Sequence, residues 1–216
     1  MSSAASMTVT DRLRDDILRG TFPPGERLIE LQLAERYGIG RAAIRAALAD
    51  LDGEGLVTRE SNRGATVRRI SLIEAIEITE ARAALEGLIA RLAAERSTNN
   101  EKAELKSLVA AMEISVTTGE LLEYAALNRS LHRRLRQMAR HGVAEELVAN
   151  LRNRSAHHQY RLATVGGRAR ESLPQHRAIV KAVVAGNGVA AEAAMRAHLG
   201  SVADVLRRWE ELGVSV

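Results

Sequence analysis

Leu33 to Val57 reads "LAERYGIGRAAIRAALADLDGEGLV": two short apolar-patterned runs, separated by Gly38-Ile39-Gly40, the second opening with Arg41 and Arg45. In that second run Ile44, Ala47, Leu48 and Leu51 recur at helical spacing and form one apolar face. Arg41 and Arg45 therefore share the opposite, outward face. Residues four apart on a helix stand roughly 6 Å from one another, so two guanidiniums are presented together at the very start of this helix.

Upstream, Val9, Leu13, Ile17 and Leu18 predict a helix that Gly20 and then Pro23-Pro24-Gly25 end. "RLIELQLAERYG" places Leu28, Ile29, Leu31, Leu33, Ala34 and Tyr37 in a second short helix closed by Gly38. Downstream, "GLVTRE" and "GATVRR" predict two short strands around Ser61-Asn62-Arg63-Gly64, with glycine where a positive φ is expected. Three helices and a hairpin make a winged helix-turn-helix, whose third helix enters the major groove by its N-terminal end. Arg41 and Arg45 would then meet a guanine edge or flanking phosphates, and Ala42 could offer apolar contact to a thymine methyl. An isolated arginine pair is usually a solvated helix face. Here the surroundings favour DNA: between Arg36 and Arg69 there are seven arginines against four acids, concentrated where phosphates would lie.

Composition narrows the rest. The 216 residues are 46% hydrophobic but only 2% aromatic, so the core must be built from Ala, Leu, Val and Ile, which favours a mainly α fold. Zero cysteines exclude disulfides and thiolate metal sites. The formal charge is +4, but 28 of the 31 basic residues are arginines spread along the chain, so the charge alone does not establish a polyanion partner. No apolar run reaches membrane-spanning length, and "MSSAASMTVT" has neither a basic start nor an apolar signal core, so a cytoplasmic protein without a membrane partner is expected.

The segment "ILRGTFPPGERLIELQLAERYGIGRAAIRAALADLDGEGLVTRESNRGATV", within Leu13 to Val67, resembles the N-terminal domain of GntR-type bacterial transcription regulators. The resemblance implies a double-stranded DNA operator as partner, with Arg41, Ala42 and Arg45 on the recognition helix and Arg63 and Gly64 on the wing. The chain departs from the usual pattern at Gly40, where Ser or Thr is common, at Ala42-Ala43, where Thr-Pro is frequent, and at Leu31, often Arg. Its DNA contact set is therefore lean.

From Ser71 onward the chain reads as helix after helix, beginning with the cap signature Ser71-Leu72-Ile73-Glu74. Ser97-Thr98-Asn99-Asn100 and Gly119, Gly142, Gly166-Gly167 and Gly186-Asn187-Gly188 mark the joints of six antiparallel helices. The expected organisation is a winged helix-turn-helix over residues 1–70 followed by an all-α antiparallel helical bundle over residues 71–216. His132, His176 and His198 fall on three different helices, and Asn128 lies one turn before His132. Neutral imidazoles plus an oxygen suit Zn²⁺ or another first-row divalent ion, although each histidine taken singly is more often a core or surface residue. His141 reads as a loop residue, the adjacent His157 and His158 as rim residues, and the arginines from Arg129 to Arg140 as a solvated face.

"ALNRSLHRRL", "LPQHRAIVKAVVAGN" and "AAEAAMRAHL" resemble the ligand-bearing segments of the FadR-type C-terminal domain known as FCD. That resemblance implies that Asn128, His132, His176 and His198 hold a divalent metal, Zn with Ni or Mn as the options, and that the metal binds a small carboxylate effector. Arg82, in the matching "R..LE" of Arg82 to Glu86, could grip such a carboxylate bidentately or pair with Glu86. Asn128 stands where Asp is usual and Gln175 where Glu is common, which leaves the pocket more welcoming to an anion. The expected protein is a homodimeric, ligand-responsive transcription regulator, a repressor, and not an enzyme. The alternatives are a metal-dependent hydrolase, for which no HExxH and no evident general base is present, and a constitutive DNA-binding protein whose helical domain only dimerises.

Overall fold

The computed structural model describes residues 7–60, 64–155, 162 and 167–212. The N-terminal elements are α1 (Val9–Leu18), β1 (Arg27–Leu28), α2 (Glu30–Tyr37), α3 (Arg41–Gly53), β2 (Val57–Glu60) and β3 (Gly64–Val67). Thr8 caps α1 in a reciprocal box with Asp11. Gly38, at φ 67, closes α2 in the left-handed conformation that any other residue would adopt at a cost. The three strands form an antiparallel sheet in the order β1-β3-β2.

One expectation is corrected here. Leu28 and Ile29 do not belong to the second helix: Arg27–Leu28 is a strand, and α2 begins only at Glu30. Its cause is long-range. The Pro-Gly turn lays the chain alongside β3, so that Gly25 donates to Val67 O at 2.8 Å and Val67 donates to Glu26 O at 2.9 Å. Leu28 pairs opposite Ala65 and is buried with Leu13, Leu33, Ile44, Leu48, Leu51 and Val57 in the core of this unit. Each such aliphatic side chain contributes about 1.5–3 kcal/mol when fully buried. Arg14 ties α1 to the end of α3 by pairing with Glu54, and the Tyr37 hydroxyl donates to Asp16 at 2.6 Å.

Beyond Ile70 lie α4 (Leu72–Arg96), α5 (Asn99–Thr118), α6 (Leu121–Ala139), α7 (Gly142–Arg154), α8 (Arg168–Val184) and α9 (Gly188–Glu211). The chain divides after Ile70 into two compact units, the first also taking in the last residues of α7 from Asn150. The architecture is thus a winged helix-turn-helix followed by an all-α bundle. Ser71, Thr98 and Asn187 cap α4, α5 and α9 with side-chain oxygens. Helix α4 packs most extensively along α9 and also meets α6 and α8. The core between them is aliphatic, with Ile89, Leu105, Met112, Leu131, Leu135, Met138 and Ile179 fully buried. This places the inward faces of α4, α6, α8 and α9 around one centre.

The arginine run on α6 is not simply a solvated face. Arg134 pairs with Glu104 at 2.6 Å, and Arg140, in the left-handed region at φ 47, reaches both oxygens of Glu101 at 3.0 and 3.1 Å. These contacts tie the end of α6 to the start of α5. His141 does lie between helices, where its Nδ1 accepts from the Ala144 N–H and caps α7. His157 and His158 lie outside the described residues.

Candidate functional site

Arg41 and Arg45 occupy the outward face of the first turns of α3, with side chains 60% and 55% exposed. Glu30, the first residue of α2, lies against both: its Oε2 accepts from Arg41 Nη2 at 3.4 Å and stands 3.9 Å from Arg45 Nη1. Sequence reasoning missed this carboxylate, although a lone acid opening the helix before two arginines was visible. Gly40, the N-cap of α3, supplies no side-chain hydrogen bond to the first N–H groups of the helix. Ala42 is exposed beside the arginines, as is Leu31 on α2.

On the wing, Gly64 has φ +88, and a Cβ there would come within 2.7 Å of Leu28 O. Only glycine fits this turn against β1. Arg63 lies outside the described residues. Arg69 is engaged within the unit, donating from Nη2 to Pro24 O at 3.1 Å across the Pro-Gly turn. Arg59 remains exposed on β2.

In the bundle, His132 from α6, His176 from α8 and His198 from α9 come together. Each offers a ring nitrogen to one group whose atoms all lie within 4.8 Å of one another, and all three residues are at least 96% buried. In each ring Nδ1 is already committed. His132 Nδ1 lies 2.7 Å from Glu86 Oε2, His198 Nδ1 lies 2.8 Å from Gln175 Oε1, and His176 Nδ1 lies 3.0 Å from the Tyr124 hydroxyl. The hydroxyl contacts Ser172 Oγ at 2.6 Å, and Ser172 donates to Arg168 O at 3.0 Å.

That network sets the tautomers. The Glu86 carboxylate and the Gln175 carbonyl oxygen only accept, so His132 and His198 carry their protons on Nδ1 when neutral. A chain running His176 to Tyr124 to Ser172 to the Arg168 carbonyl satisfies every donor if His176 does the same. The His176 Nε2 lone pair is then left free, as in metal sites where a hydrogen-bond partner holds the outer nitrogen of a ligand. His176 Nε2 is buried without any hydrogen-bond partner, and so is Asn128 Oδ1, one turn before His132. Orphaned buried acceptors are rare and call for a partner.

Charge favours the same use. Burial, His132 and Arg168 together push the His176 pKa down to about 3. Burial, His176 and His132 hold the His198 pKa well below its ordinary value. Both rings are thus neutral ligands at physiological pH. The imidazole nitrogens, with no thiolate among them, suit a first-row divalent ion, and the unpartnered amide oxygen of Asn128 lies one turn before His132.

Arg82 is buried on α4 and engaged by Glu86, with Nε at 2.9 Å and Nη2 at 2.7 Å from Oε1. Glu86 thus links Arg82 to His132. Tyr124, Ser172 and Arg168 had no assigned part in the sequence reading, and Gln175 was read only as a lost negative charge beside His176. A regular spacing could have found most of them: Tyr124, Asn128 and His132 on α6, and Arg168, Ser172 and His176 on α8, recur every four residues and so lie along one helix face.

Comparison with known proteins agrees with this architecture. Residues 5–67 match the family described as bacterial regulatory proteins, gntR family, and residues 77–201 match the FCD domain. The FCD match alone spans more than half of the chain, which therefore belongs to the GntR family of bacterial regulators that carry an FCD domain. The chain is 30% identical to the HTH-type transcriptional regulator LutR of Bacillus subtilis (strain 168), over 92% of this chain and 99% of that one. It is 27% identical to the HTH-type transcriptional repressor RspR of Escherichia coli (strain K12), over 91% and 86%. Among solved structures, E. coli McbR/YncC shares the fold, with a TM-score of 0.80 at 22% identity, over 94% of this chain and 96% of that one. The chain is a DNA-binding transcriptional regulator of this type, not an enzyme. Among the described residues, no helix is long and apolar enough to cross a membrane.

Proposed function

We propose that the chain is a cytoplasmic, homodimeric repressor that senses a small carboxylic acid through a divalent metal. Residues 1–70 read the operator, with Arg41, Ala42 and Arg45 at base edges and phosphates and Arg63 and Gly64 on the wing. Residues 71–216 bind the effector and dimerise. His132, His176 and His198 hold the metal, with Asn128 as a weaker oxygen donor, and Zn is the expected ion with Ni or Mn as the alternatives. The bound metal supplies a Lewis-acidic position for a carboxylate. The chain's own residues fix the outer nitrogens of the histidines, exclude water from the centre and keep His176 and His198 neutral. Arg82 faces the acid through a guanidinium it shares with Glu86. A repressor among the relatives supports the direction of control.

The observation that carries this reading is the unpartnered His176 Nε2 within a buried triad whose three Nδ1 atoms are already committed. It is tested by metal analysis of extensively dialysed protein, with melting curves in Zn²⁺, Mn²⁺ or Ni²⁺ and with small carboxylates. A retained ion, or a rise in Tm that His176→Ala abolishes, is the expected result, since a metal bound only by the folded state stabilises it. Protein that retains no ion and gains no stability reduces the three histidines to core residues.

A further inference from the structure

We infer that Arg168 forms a second anion subsite beside the histidine triad, so that the effector is a dicarboxylic acid with one carboxylate at the histidine centre and the other at this guanidinium. This rests on the metal-and-carboxylate reading above and deepens it.

Arg168 opens α8 and is only 8% exposed. Its Nη1 donates to Ser201 Oγ on α9 at 3.0 Å, and Nη1 also lies 3.4 Å from Glu171, a carboxylate that is 64% exposed. Its Nη2 is buried with no partner. A buried guanidinium donor left unpaired is costly, and a carboxylate is the group its planar fork is built to hold.

Position ties this donor to the triad. Arg168, Ser172 and His176 lie on one face of α8, and Ser201 follows His198 by three residues on α9. Three residues rise about 4.5 Å along a helix, so the guanidinium held at Ser201 stands about one turn beyond His198. A short diacid spans such a gap. The pairing of Arg168 with exposed Glu171 is long, partly solvated and readily exchanged for a ligand carboxylate.

Isothermal titration of the full-length, Zn²⁺-loaded protein with succinate and with butyrate tests this, because the two acids share a four-carbon chain and differ in the second carboxylate. Wild type is expected to bind succinate at least about tenfold more tightly, as an added charge-assisted pair warrants. Arg168→Gln should bring succinate to the level of butyrate without changing Zn²⁺ retention or butyrate binding, and Arg168→Lys should restore part of the preference. Ser201→Ala, which removes the hydroxyl that places the guanidinium, should lower the preference severalfold and serves if Arg168→Gln does not fold. Equal affinity of the Zn²⁺-loaded wild type for both acids, or a succinate preference left undiminished by Arg168→Gln or by Ser201→Ala, overturns the subsite alone. Protein that keeps no Zn²⁺ yet prefers succinate through Arg168 overturns the metal reading and supports the subsite. Protein that binds neither metal nor acid overturns both.

Discussion

His132 Nδ1 lies 2.7 Å from Glu86 Oε2, while the other oxygen of the same carboxylate carries Arg82. One buried acid thus orients an imidazole and neutralises a guanidinium. Glu86→Gln keeps the shape but removes the charge. Zn²⁺ affinity, measured by chelator competition, should fall by about 10–100-fold, the usual effect of losing an outer partner of a metal ligand. The metal-free protein should also lose about 3–5 kcal/mol in urea denaturation, because Arg82 is left buried without its counter-charge.

Glu30 should restrain the recognition helix. Arg41→Ala and Arg45→Ala are each expected to weaken operator binding by about 1–3 kcal/mol where the lost contact is bidentate to a base. Glu30→Gln should act in the opposite direction on random DNA. With the shared carboxylate neutralised, both guanidiniums are freer to meet phosphates, so non-specific affinity rises and its salt dependence steepens. Fluorescence anisotropy on operator and scrambled duplexes at several salt concentrations reads both effects. Unchanged operator binding by both arginine variants would remove α3 from the DNA contact.

Gly64→Ala should loosen the wing. A left-handed φ costs a non-glycine residue about 1–2 kcal/mol, and here the added Cβ also crowds Leu28 O at 2.7 Å. Faster hydrogen exchange at the β1–β3 pairs Arg27–Thr66 and Leu28–Ala65 is the expected readout, together with weaker operator binding.

Glu101 makes a pH-dependent contribution to the bundle. The Thr98 backbone N–H, Arg140 and the Thr98 hydroxyl hold its carboxyl below the ordinary range. A depressed folded-state pKa contributes stability that is fully present above the unfolded value, about 4.3, and lost as pH falls through the folded one. The Tm difference between wild type and Glu101→Gln should therefore be large at pH 7, shrink below about pH 4.3 and vanish in stronger acid. A difference independent of pH would mean that only the hydrogen-bond geometry matters.

The sequence by itself determined the elements whose cause is local. The α3 helix follows from the spacing of Ile44, Leu48 and Leu51, its break from Gly38, and the caps of α4 and α5 from Ser71 and Thr98. The three histidines could be singled out as candidates because of their residue type, their separate helices and a family resemblance. What only the tertiary structure decided depends on partners distant along the chain. Arg27–Leu28 is a strand because β3, nearly forty residues later, supplies its hydrogen bonds, whereas its apolar pattern reads equally well as a helix start. The unpartnered Nε2 of His176 exists because Tyr124, from another helix, takes its Nδ1, while Glu86 and Gln175 hold the Nδ1 atoms of His132 and His198. Periodicity reports which face of a helix is buried. Which atom of a buried ring remains available is set by packing between helices, and that is where the chemistry of this site was decided.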